Sequence, residues 1–389
     1  MRISRLGIGI AVGAAVILGA GSALAAGGWT IVTAPPTGQN GVLYSVTSTS
    51  DTDAWAVGHS GAAPNGLRAQ PVIDHWNGTA WSQVTAPATG YSTSWPAAVS
   101  ASDTSDAWIV GWSEPQRYSF VPMAMHWNGT AWSVVSFNAT IGAIVSGVTD
   151  ISPADAYAIT STPTSGTIGY GQDQLTHWNG TSWNKVNIPV PAHDITTTLY
   201  AISADGPDDV WIPASALVTV SSTSAATEYY ALHWNGSSWS MVPMPAQPAG
   251  IYDQFSSVTA ISPSNVWAVG AVDNETTGSV VSTALIEHWN GTAWSVVPSP
   301  ATSTGTELTG VTYNSATDVW AVGTDSSRTT LTLNWNGSAW SVVSSPSAGV
   351  ATGLAGVATT PGASIVQAVG TTFTNSSFTA TNPFAMHNP

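Results

Sequence analysis

Several residue types recur in this chain at spacings that could support chemistry. His75, His126, His177, His233, His288 and His387 stand in near-identical surroundings, as a set of imidazoles for a metal would. Aspartates gather before a second recurring phrase, at Asp51, Asp53, Asp103, Asp106, Asp155, Asp208, Asp209 and Asp318. Carboxylates at that density suit a hard cation, and Asp205, Asp208 and Asp209 form the calcium candidate, although their spacing does not match an EF-hand loop. Each Trp-Asn-Gly-Ser/Thr phrase also spells an N-glycosylation sequon. The chain has no cysteine, which removes thiol catalysis and cysteine-ligated metals. Which of these groups act together depends on the elements that carry them.

Those elements repeat. "DHWNGTAWSQV" at 74–84 returns as "MHWNGTAWSVV" from Met125, "THWNGTSWNKV" from Thr176, "LHWNGSSWSMV" from Leu232, "EHWNGTAWSVV" from Glu287 and "LNWNGSAWSVV" from Leu333. The first tryptophans lie 51, 51, 56, 55 and 46 residues apart, a period that points to the four-stranded blades of a β-propeller. About twenty residues upstream runs "DAWAVG" at 53–58, "DAWIVG" at 106–111, "DAYAIT" at 155–160, "DVWIPA" at 209–214, "NVWAVG" at 265–270 and "DVWAVG" at 318–323. A degenerate "VQAVG" follows at 366–370. Stretches of small and β-branched residues such as "YSVTSTS" precede each one.

Each unit therefore reads as four strands. Strand A is the small-residue stretch, crowded around the axis, and strand B is the D-x-W-A-V-G phrase. Strand C ends in His-Trp, and strand D begins at the second tryptophan. Asn-Gly predicts a two-residue type I′ turn between C and D, with Trp76 facing Thr79 and Asp74 facing Trp81. The C-terminal "PFAMHNP" echoes "PMAMHWN" at 122–128, and "GWTIVTAP" echoes "AWSVVPSP" at 293–300. Trp29 thus starts an orphan strand D that completes the last blade. The expected fold is all-β: a seven-bladed propeller of four-stranded antiparallel blades, closed by the N-terminal strand and left with no free edge.

Bulk composition agrees. The chain has 389 residues, 43% hydrophobic and only 7% charged, which suits short strands and turns rather than helices or disorder. Residues 1–25 read as an export signal, with Arg2 and Arg5, an uncharged apolar run and Ala23-Leu24-Ala25 as a cleavage site. The alternative is an uncleaved membrane anchor. Residues 26–389 form the propeller, and the protein is expected outside the cell. Loss of Arg2 and Arg5 takes the net charge from −15 to −17, which disfavours nucleic acid and anionic lipid as partners. A monomer without cofactor is expected.

The repeats resemble the kelch and galactose-oxidase central-domain class of propellers, whose blades also place a Gly after strand B and a Trp at the start of strand D. One strand-B Gly stands here where kelch repeats have two. The pattern is most similar to secreted bacterial proteins built from DxWAVG…HWNGxxW repeats. The resemblance covers residues 29–387 and implies an architecture, with no particular activity.

This architecture assigns most of the recurring residues to structure. Of twenty tryptophans, all but Trp95 and Trp112 occupy repeat positions and are expected to pack. One repeat histidine per blade cannot share an ion, and Asn334 replaces one, so these side chains are read as hydrogen-bonding between blades. Aspartate at the A–B turns can bond its own backbone. The A–B and C–D turns are short and share one face, whereas the B–C and D–A loops are long, vary between blades and share the other. The off-pattern residues fall on that long-loop face: His59, Trp95, Trp112, Tyr118, Tyr170, His193, Asp194, Tyr252 and Asp253. Aromatics with nearby Asp and Asn suit sugar rings.

The leading expectation is a lectin-like module for glycans or cell-envelope polymer. An extracellular protein-binding or structural scaffold is the alternative, and a glycan hydrolase or lyase using acids such as Asp194 with Asp253 is the third. Catalysis finds little support, because the S-x-D-x-G-x-x-W box of sialidases is absent and a cysteine-crosslinked copper site is impossible.

Overall fold

A computed structural model describes residues 28–37, 40–61, 68–116, 119–137, 142–161, 172–221, 224–276 and 278–389. The proposed leader, residues 1–25, lies outside them, as do Tyr118 and Tyr170. The described residues form seven antiparallel sheets in a ring. Blade 1 comprises Val42–Ser50, Asp53–Ser60, Gln70–Trp76 and Trp81–Gln83 as strands A to D. Blades 2 to 6 span 94–135, 144–186, 194–243, 251–296 and 307–343. Blade 7 takes strands A to C from 351–388 and strand D from Thr30–Val32, with Thr30 opposite His387.

Strand A carries a bulge in most blades, and strand B sets a glycine against it. A Cβ on Gly58 would overlap the carbonyl oxygen of Val42, and Gly111 and Gly270 stand in the same relation to Trp95 and Gln254. Hydroxyls of strand A stitch neighbouring blades at the axis. Ser45 Oγ accepts from Val99 N at 3.1 Å, Ser203 Oγ from Ala260 N at 3.1 Å and Ser257 Oγ from Val311 N at 3.2 Å. Blade 4 departs from the pattern, because its inner strand is split into Asp194–Leu199 and Ser203–Gly206, both on strand B.

The hairpin differs from the expected two-residue turn. Trp76 faces Trp81, His75 faces Ser82 and Asp74 faces Gln83, leaving a four-residue loop. Asn77 causes the difference. Its side-chain oxygen accepts from Thr79 N and Ala80 N, both at 3.0 Å, and from the Thr79 hydroxyl at 2.8 Å. The side chain replaces the hydrogen bond that a tighter turn would make, and it accounts for the Ser/Thr of the phrase. Gly78, at φ 91°, lies against Thr52 of the A–B turn with no room for a Cβ.

Seven apolar clusters form the core, one at each seam between blades. The tryptophans dominate most of them. Trp55 of strand B packs on Trp127 and Trp132 of blade 2, with centroids 4.9 and 5.1 Å away. Trp108 packs likewise on Trp178 and Trp183, Trp211 on Trp289 and Trp294, and Trp267 on Trp335 and Trp340. The first hairpin tryptophan also pins the A–B turn. Trp76 Nε1 donates to Asp51 O at 3.0 Å, and Trp127 does the same to Thr104 O.

Candidate functional site

The repeat histidines bond within blades rather than between them. Strand C runs beside strand B, so His75 Nε2 meets Asp53 Oδ1 at 2.6 Å, His126 meets Asp106 at 2.6 Å and His177 meets Asp155 at 2.7 Å. Where His288 stands the partner is Asn265, and Asn334 donates to Asp318 at 2.7 Å. In blades 1 to 5 the ring also packs on its own strand-B aromatic, as His233 does on Trp211 at 3.9 Å. Several A–B aspartates are therefore histidine acceptors. Asp103 does hold its own turn, accepting from the Ser105 hydroxyl at 2.7 Å and from Ser105 N at 2.6 Å, which keep its carboxyl below the usual range.

Asp51 instead crosses the closing seam to accept from Ser364 N and Ile365 N, both at 2.9 Å. Asp205, Asp208 and Asp209 do not converge: Asp209 Oδ1 is taken by Trp211 Nε1 and His233 Nε2, while Asp208 lies against Gly236. Among the described residues, no group of three His, Cys, Asp or Glu side chains is arranged to hold a metal ion.

On the long-loop face, the end of blade 1 meets the start of blade 2 in a row of rings. Trp95, in strand A, stands directly opposite Trp112 in strand B, and the indoles are near parallel, 16° apart with centroids at 6.3 Å. His59, the counterpart of Trp112 in blade 1, packs on Trp95 at 4.2 Å. Tyr44 extends the row beyond His59 at 5.5 Å. Trp95, Trp112 and Tyr44 are half-buried. His59 is 5% exposed, and its burial pushes the imidazole down to about 4, so it is a neutral ring at pH 7. Neither His59 Nδ1 nor Trp95 Nε1 has a hydrogen-bond partner among the described residues.

A shallow groove of about 460 Å³ opens at the same seam, floored by Pro71, Ala86 and Pro87 and edged by Gln70, Thr89 and Tyr91. Ser94 lines it and joins a hydroxyl chain, Thr89 to Ser94 to Ser113, with both links at 2.8 Å. Thr93 fixes the surrounding loops. Its Oγ1 accepts from Arg68 N at 2.9 Å, and its carbonyl accepts from Glu114 N at 2.9 Å. Arg68 is exposed and holds a left-handed φ of 75°.

The remaining candidates sit elsewhere on the ring. His193 is exposed at the entry to blade 4, and Asp194 beside it accepts from Thr197 Oγ1 at 2.9 Å and Gln172 Nε2 at 3.3 Å. Tyr252 and Asp253 belong to strand A of blade 5, not to a loop. Asp253 is fully buried. Gln247 Nε2 donates to both its oxygens at 3.0 Å, and burial pushes its carboxyl up to about 6.

Sequence reasoning thus found His59, Trp95 and Trp112 but missed Tyr44, hidden in a stretch of small residues. A second aromatic pair, Phe373 and Phe378, packs together in blade 7 with the Arg328 guanidinium 4.7 Å above the Phe378 ring.

No protein-family model matches the chain, and no curated protein matches it. Solved structures do. The YCF48 protein bound to a D1 peptide is 12% identical, with 94% of this chain and 97% of that chain covered at a TM-score of 0.56. An ulvan lyase of a polysaccharide lyase family is 9% identical, with 86% and 92% covered at 0.55. A xyloglucanase from Xanthomonas campestris is 13% identical, with 88% and 53% covered at 0.53. At these identities the likeness is one of fold.

Proposed function

We propose that this chain is a secreted, kelch-like propeller that binds glycans or cell-envelope polymer, without catalysis of its own, at the blade 1–blade 2 seam of its long-loop face. The observation that carries this reading is the row Tyr44–His59–Trp95–Trp112 beside a groove lined by no charged side chain. Flat rings stack on the C–H faces of sugars. The half-buried rings of Tyr44, Trp95 and Trp112 are the part of the row that a ligand in the groove could reach. Two of the structural neighbours, the ulvan lyase and the xyloglucanase, carry polysaccharide-directed names, which is consistent with this reading but carries it no further than the shared fold. The acids of the hydrolase reading, Asp194 and Asp253, lie in different blades and are held by different glutamines.

Screening the purified protein on a glycan array tests the proposal. Binding to a defined set of glycans is expected, with that binding lost in Trp112→Ala. An array without signal overturns it and leaves the protein-binding scaffold as the better reading.

A further inference from the structure

The residue before each repeat His or Asn points into a seam. It is Met125, Thr176, Leu232, Leu333 and Met386 in blades 2, 3, 4, 6 and 7, but Asp74 in blade 1 and Glu287 in blade 5. Asp74 is 1% exposed and Glu287 fully buried, and no carboxyl oxygen of either has a hydrogen-bond partner among the described residues. By contrast, Thr176 donates to Ala158 O at 3.0 Å.

Strand alternation fixes which seam each one enters. Asp74 shares a face with Val72 and Trp76, which pack on Val369 and Ala385 of blade 7. That seam also holds Gln367, in the place of the strand-B tryptophan, with neither amide atom partnered among the described residues. The titratable groups at this seam are His387, edge-on to Trp76 at 5.8 Å, and Asp51, whose carbonyl accepts from Trp76 Nε1 and whose carboxylate accepts from Ser364 N and Ile365 N. Glu287 shares a face with Leu285, in the blade 4–blade 5 cluster. The titratable groups there are Asp253 and Tyr229, with Tyr200 and Tyr252 next to them. A carboxylate ion without a donor is disfavoured in such surroundings, and the group holds a proton instead.

We infer that Asp74 and Glu287 are proton locks: the seams between blades 7 and 1 and between blades 4 and 5 close over neutral carboxyls, and loss of those protons loosens the ring at these two places first. The locks divide the ring into an arc of blades 1–4 and an arc of blades 5–7.

Burial alone pushes Asp74 up to about 7, and burial with the charge of Asp253 pushes Glu287 up to about 8. Both folded values lie above the open-chain values, so the closed form keeps protons that the open form releases. The stabilisation is whole below the open-chain carboxyl range, is lost as pH rises to about 7 and 8, and changes no further above that. Asp150, pushed up to about 8 between blades 2 and 3, adds a slope of the same sign. His59, His288 and His387, held down by burial, oppose it in mild acid. Comparing variants with wild type at each pH cancels both.

The variants are Asp74→Met and Glu287→Leu, residues that other blades carry at this position, made singly and together in the full chain. Their melting temperatures are expected to exceed wild type by several degrees more at pH 8 than at pH 5. An advantage equal at both pH values, or none at pH 8, overturns the inference. Hydrogen exchange on the wild type, corrected for intrinsic rates, gives a second test that needs no variant. Protection is expected to fall from pH 5 to pH 8 in Gln70–Trp76, Thr381–Asn388 and Val281–Trp289 more than in Thr330–Trp335, the strand that carries Leu333 at the same position. A uniform change contradicts it.

Discussion

At their short-turn ends, blades 1 to 6 use the same side chains in nearly the same way. A hairpin Asn caps its own loop, and a His or Asn meets the Asp or Asn that opens strand B. A strand-B aromatic is set between its own blade's histidine and the next blade's hairpin tryptophans. At the long-loop ends the blades diverge. The equivalent position is His59 in blade 1, Trp112 in blade 2, Ser161 and Ser215 in blades 3 and 4, Ala271 in blade 5, and Thr324 and Thr371 in blades 6 and 7. The repeated end spends its asparagines, aspartates and histidines on internal hydrogen bonds and buries most of its strand-B and second hairpin tryptophans in the seams. At the irregular end, the blade 1–blade 2 seam keeps a row of half-buried rings beside an open groove.

The sharpest way to break the comparison is at the repeated end. Trp108 is fully buried against Trp178, Trp183 and His126. Trp108→Ala is expected to cost about 3–5 kcal/mol in chemical denaturation while leaving the blade 1 hairpin unchanged. Asp51→Ala strips the acceptor from two amides across the closing seam and is expected to cost about 1–3 kcal/mol, read as a lower melting temperature. Asn77→Ala removes the loop cap of one blade, for about 1 kcal/mol. His75→Asn copies the arrangement of blade 6 and is expected to stay within about 0.5 kcal/mol of wild type. A larger loss there would mean that the histidine does something beyond holding Asp53.

Much of this was legible in the sequence because repetition supplies its own controls. Six near-copies fix the strand order, and the echoes at Trp29 and His387 fix the closure, which pairing of Thr30 with His387 bears out. The hairpin loop was misjudged because Asn-Gly was read for its backbone alone, although the Asn side chain caps a longer loop. The partner of each histidine was written in the chain too. Asn265 and Asn334 mark the two blades where one member of the pair changes, but the two positions lie far apart in sequence. Tyr44 could not be found from spacing, since nothing in "YSVTSTS" says which residue turns toward the next blade. Asp74 and Glu287 passed as ordinary strand residues, because only the assembled ring makes that position a seam.

Two variants of blade 2 test the division between the ends most directly. Trp127 pins a turn and packs in the seam, whereas Trp112 ends the aromatic row. For Trp127→Ala and Trp112→Ala, melting temperature and affinity for a glycan found on the array would be measured together. Trp127→Ala is expected to lower melting sharply and keep affinity below its transition, and Trp112→Ala to keep melting near wild type and lose affinity. Loss of stability and affinity in the same proportion in both variants would contradict this, because the two ends would then not divide the labour.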